Sequence, residues 1–170
     1  MEGVEMETAR PAQHSGDDFC AAVISQFSNR SNEHHTHVCN SIGTMSQELI
    51  DRNLPRTAAV YFRVTCSSLD RLSSSTDAAG HLLDAMLTIL SLVVDRYPLS
   101  ALKMQHAYLS ELLTRVLRMK SIGVDGLVPA IKCISRLLIV SEKAGWEDVA
   151  QLYGFLVGYM TDDRPKVLTI

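Results

Sequence analysis

The sequence predicts an all-α protein, an α-solenoid of stacked helical hairpins with about seven helices. Apolar residues recur at three- and four-residue steps through almost the whole chain, the mark of helix faces turned toward a core. No segment sustains apolar/polar alternation between turn signals, so strands are not expected. The breaks between helices fall at roughly even intervals, which a compact four- or five-helix bundle does not require.

The first helix is expected from about Asp17 to Asn29, with Phe19, Val23 and Phe27 in line. A second follows Ser31 as N-cap and aligns Val38, Ile42, Met45 and Leu49. Asn53-Leu54-Pro55 ends it and opens a third, with Pro55 in the first turn and Ala58, Tyr61, Phe62, Thr65 and Leu69 along it. The polar stretch Ser73 to Asp77 precedes a fourth helix, Ala78 to about Val94. Its Leu82, Leu83, Met86, Leu87, Leu90 and Val94 cover more than one face, which places it deep in the fold.

Tyr97-Pro98 makes the next break. A fifth helix, about Leu99 to Met119, turns Leu102, Leu109, Leu112, Leu113, Val116 and Leu117 inward and carries Arg115, Arg118 and Lys120 near its C-terminal end, where cations suit the helix dipole. Gly123 to Gly126 reads as a turn. A sixth helix then reaches Lys143 through Ile131, Ile134, Leu137 and Leu138, and Gly145 suits a C-terminal cap. The seventh, Trp146 to Met160, has Ala150, Gly154 and Gly158 four apart, a thin face for close packing. Asp162 to Val167 looks like the opening of an eighth.

Paired consecutively, the hairpins start near residues 17, 55, 99 and 146, steps of 38, 44 and 47 residues. HEAT and armadillo units repeat at roughly 40 to 47 residues, and this agreement selects the solenoid over the bundle. A 170-residue chain suffices for one domain with a real core, and 46% hydrophobic with 21% charged residues is globular rather than disordered. The exception is residues 1–16, acidic and nearly without large apolar side chains, expected as a disordered tail before a helical repeat domain over 17–167 and a short end at 168–170. The N-terminus has neither the basic nor the apolar region of a signal peptide, and the apolar run Ala85 to Val94 is about half a membrane span, so a reduced compartment and no membrane are expected. Cys20, Cys39, Cys66 and Cys133 are scattered and read as reduced core residues.

Candidate chemistry is sparse. In Glu33-His34-His35-Thr36-His37-Val38-Cys39, a helix would put His34 with His37, or His35 with Cys39, on one face. A structural zinc site needs four ligands, however, and no second cluster supplies the rest, so a solvated first turn is the better reading. Ser100 and Lys103 match the S-x-x-K of serine acyl-enzymes, but the companion motifs are absent and Ser100 is better placed as an N-cap. No nucleophile elbow, phosphate-binding glycine loop or H-E-x-x-H occurs. The expectation is a non-enzyme with no cofactor and no small-molecule substrate. Charge has one slope: from Arg52 to Arg136 there are eleven Lys or Arg against six Asp or Glu, whereas the whole chain carries −3. A basic stripe of Arg63, Arg71, Lys103, Arg115, Arg118, Lys120, Lys132 and Arg136 is therefore the candidate contact for RNA or an acidic partner.

Five strings, Asn32 to His35, Gly43 to Leu49, Ala59 to Phe62, Cys66 to Leu72 and Asp162 to Val167, together resemble the N-terminal part of the ribosomal RNA-processing protein 12-like family, particularly its plant members. The likeness covers about residues 17 to 167. It implies a HEAT/armadillo-type scaffold of the nucleus and nucleolus, bound to pre-ribosomal particles and other assembly factors during RNA processing, subunit maturation and export. The alternative is a HEAT-type adaptor in another complex, such as one of nuclear transport. The resemblance transfers no catalytic or RNA-binding residue. Because chains of that family continue well past the Lys166-Val167 pair, this one looks like a truncated product or short isoform.

Overall fold

The computed structural model describes residues 19–75, 79–141 and 154, and every regular element among them is a helix. After α1, helical over 19–26, come α2 (Glu33–Asp51), α3 (Ala58–Ser73), α4 (Gly80–Arg96), α5 (Leu99–Met104), α6 (His106–Leu117) and α7 (Val124–Ser141). The expected helix over Trp146 to Met160 and both chain ends lie outside the described residues, apart from Gly154, which is helical.

Local chemistry explains the boundaries. Asn32, not Ser31, caps α2: its side-chain oxygen accepts from the N–H groups of His34 at 2.9 Å and His35 at 3.3 Å, while the Ser31 N–H is taken by Asn29 Oδ1. Thr57 caps α3 by accepting from Val60 N–H, so Pro55 stands before the helix rather than in its first turn. At the end of α2, Asn53 adopts φ 56°, its N–H donating to Ile50 O, and the Leu54 N–H donates to Leu49 O at 2.8 Å. That pair of bonds is a Schellman closure, and it needs a left-handed residue. Asn53→Val is expected to cost about 1–2 kcal/mol, whereas Asn53→Gly, which adopts this φ without strain, is expected to be neutral or better; urea unfolding of the two variants checks the order.

The helices stack in two layers. α2, α4 and α7 lie side by side with α4 in the middle, and α3 and α6 lie against them as the second layer. α1 joins this arrangement through Phe19, whose ring meets Tyr61 of α3 at 5.0 Å, and through Phe27 against His35 of α2. This is the α-solenoid expected from the hairpin spacing, with each hairpin burying its face on the next. Between the layers sit Val38, Ile42, Leu69, Leu83, Leu87, Leu90, Leu109, Leu113 and Leu137, all essentially without solvent contact. Buried Thr65, Thr88 and Thr114 are tolerated there because each hydroxyl donates to the carbonyl four residues earlier, at 2.7 to 2.8 Å.

Three further expectations are corrected. The single helix over Leu99 to Met119 is two helices broken at Gln105, because α5 packs on α7 while α6 packs on both α3 and α7. Ser100 is the second residue of α5, whose cap position is held by Pro98. α7 starts at Val124, so Gly126 lies in its first turn rather than in a preceding loop. Asp84 of α4 sets that start: its Oδ1 accepts from Gly123 N–H at 2.9 Å, supplying an acceptor at the helix N-terminus from a neighbouring repeat.

Candidate functional site

The break at Gln105 leaves space over α3. A groove of 870 Å³ runs along that helix, lined also by Leu54 and Pro55 before it and by Tyr97, Gln105 and Tyr108 after it in the chain. Its floor is apolar, with Val60, Phe62 and Cys66 nearly buried. Tyr97 is held by stacking on Phe62, centroids 4.5 Å apart and planes 11° from parallel. Burial pushes the Cys66 thiol up to about 12, so it stays protonated and is not a nucleophile. Tyr108, at the rim, has its phenol raised by burial first and by neighbouring Cys66 and Asp70 next.

Charge in the groove is mixed. Arg52, Arg63 and Arg71 line it together with Glu48 and Asp70. Arg52 pairs with Glu48 at 3.0 Å, and Asp70 accepts from Arg115 Nη1 of α6 at 2.7 Å. Arg71 donates to the Ser68 hydroxyl at 3.3 Å. Among the described residues no carboxylate pairs with Arg63 or Arg71, and both are exposed.

The basic positions expected to form one stripe are thus divided. Arg63 and Arg71 share the groove. Arg115 is a strut between α6 and α3, donating also to Ser73 Oγ at 3.2 Å and lying 4.0 Å from Glu111. Arg136 of α7 reaches toward Asp95 of α4, Nε to Oδ1 4.0 Å. Lys103 is exposed on α5, Arg118 caps α6 and Lys120 stands in the turn that follows, both exposed. Lys132 lines a second recess of 220 Å³ with Phe27, His34, Thr88 and Asp125. Tyr97, Tyr108 and Leu54 were not legible as site residues, since in the sequence Tyr97 and Leu54 mark only helix breaks and Tyr108 lies inside a helical run.

The histidine cluster disperses. His34 Nε2 lies 3.0 Å from Thr88 Oγ1, whose own proton goes to Asp84 O, so the imidazole is the donor and carries its proton on Nε2. His35 Nδ1 accepts from Asn29 N–H at 3.3 Å, His37 stacks on His81 at 4.2 Å, and Cys39 Sγ points to Phe27 O at 3.0 Å. Among the described residues no three His, Cys, Asp or Glu side chains gather to hold a metal ion, and no helix is long and apolar enough to cross a membrane.

Burial lowers the pKa of His34 from 6.5, and the carboxylates of Asp125 and Asp84 only partly oppose it. A histidine lowered on folding is protonated more readily in the unfolded chain. Its contribution is therefore fully present above the ordinary value of 6.5 and is lost as pH falls through the lower folded value. Thermal midpoints are expected to fall as pH drops from 6.5 toward the lower folded value, with His34→Gln showing a shallower fall over that window.

Stacked hairpins, with an open groove beside them and basic side chains tied into interhelical struts, define a helical-repeat solenoid. Residues 5–168 match the family described as RRP12-like, N-terminal HEAT repeats, and the chain belongs to that family. Neither the curated proteins nor the solved structures compared with it gave a match.

Proposed function

We propose that the chain is a non-catalytic binding scaffold of ribosome biogenesis in the nucleus and nucleolus, working in pre-rRNA processing and in the maturation or export of pre-ribosomal subunits. The observation that carries this is the family match over 5–168, and an open groove in a stacked-hairpin fold supports it. Its partners are pre-ribosomal particles and other assembly factors. Precursor RNA contact belongs to the same reading at the exposed Lys120 and Lys132, with Arg115 and Arg136 already committed to interhelical carboxylates. Affinity purification of the tagged chain tests the proposal. Recovery of pre-ribosomal proteins with precursor RNA is the expected result, and a different stable complex in their absence would favour the HEAT-type adaptor of nuclear transport or another assembly. The RNA component is expected to weaken steeply with salt, because each neutralised phosphate releases counterion.

A further inference from the structure

We propose that the groove along α3 binds an extended, acidic segment of a partner protein, with two carboxylates meeting Arg63 and Arg71 and an apolar side chain seated between Leu54 and Tyr108. This rests on the reading of the chain as a binding scaffold and names the chemistry of one partner.

Charge complementarity carries it. Of the three arginines in the groove, Arg52 is neutralised by Glu48, while Arg63 and Arg71 are exposed and meet no carboxylate among the described residues. They stand eight residues apart on one helix, about 12 Å along its axis at 1.5 Å per residue. An extended chain advances about 3.3 Å per residue, so carboxylates some four residues apart match that spacing. A guanidinium offers paired N–H donors in the geometry a carboxylate accepts. The walls supply the apolar half of the recognition. Leu54 is 42% and Tyr108 41% exposed, two large side chains with apolar surface in solvent that line the same groove as the nearly buried Val60, Phe62 and Cys66. Tyr108 adds a rigid amphipathic ring of the kind that anchors interfaces.

The same features disfavour RNA in this groove. A polynucleotide needs free ring faces to stack on and a run of uncompensated cations. Here Tyr97 and Phe62 stack on each other and leave Tyr108 as the single exposed ring among the groove's described residues, too few for a run of stacked bases; Glu48 and Asp70 share the lining, and the whole chain carries −3. A peptide with two carboxylates around an apolar residue uses what is present.

The test is selection of a displayed library of random twelve-residue peptides on the full chain. Fluorescence anisotropy of the most enriched peptide, and of a labelled oligouridylate RNA, follows. Peptides with paired Asp or Glu flanking an apolar residue should be enriched. R63Q/R71Q should weaken the selected peptide by about tenfold or more with an unchanged helical circular dichroism signal, and R63E/R71E should shift preference toward Lys- and Arg-bearing peptides. If the glutamine variant loses its helical signal, Leu54→Ser, at another residue lining the groove, serves instead and should weaken the same peptide. No enrichment, enrichment without acidic residues, binding indifferent to these variants, or oligouridylate binding that depends on Arg63 and Arg71 would each overturn the proposal. The assay uses purified components, so its failure is distinct from failure to recover pre-ribosomal particles.

Discussion

Gly126→Ala is expected to destabilise the protein by about 1–3 kcal/mol, although alanine is the better helix former by about 1 kcal/mol. A Cβ at this position in the first turn of α7 would collide with the Asp84 carboxylate and come within 3.1 Å of its Cα. The carboxylate cannot simply swing away, since its Oδ1 holds Gly123 N–H at 2.9 Å and fixes where α7 begins. The internal control is Gly43, in the middle of α2, where an added Cβ meets nothing within 4 Å. Gly43→Ala is expected to stabilise by up to about 1 kcal/mol. Opposite signs for the two glycines in urea unfolding are the expected result. If both variants were stabilised, the close approach of α4 to α7 would be wrong.

This contact also shows where sequence reading stops. Helix faces are local quantities, so Leu109, Leu112, Leu113, Val116 and Leu117 could be assigned inward from spacing alone, and all five are buried. The layer of α2, α4 and α7 is the side-by-side packing that stacked hairpins require. The break at Gln105 had no glycine or proline to announce it; both α5 and α6 pack on α7, but α6 packs on α3 as well. The candidate site was less legible for a related reason. A count of basic residues cannot say that Arg115 belongs to Asp70, 45 positions away, or that Arg136 reaches Asp95. Arg63 and Arg71 stand out only after those pairings are known, and the groove they line is bounded by residues from four parts of the chain.

Leu90→Ala is expected to have the largest effect of any single truncation considered, about 2–5 kcal/mol, because of where α4 sits. α4 packs against α2, α3 and α7 at once, and Leu90 has no solvent exposure. A cavity there is walled by helices that are each held by other contacts, so the site collapses poorly and the lost packing is not recovered. By comparison, Ile139→Ala on α7, at a side chain 62% exposed, is expected to stay within about 0.5 kcal/mol. The solenoid adds a second consequence. Each hairpin is stabilised by its neighbours alone, so weakening the middle helix loosens the coupling between the part before it and the part after. Urea unfolding of Leu90→Ala is therefore expected to show a lower midpoint together with a shallower slope, as α2 and α7 cease to unfold in one step. A lower midpoint with an unchanged slope would mean that the two ends communicate by a route other than α4, and that the repeat description underestimates the cohesion of the fold.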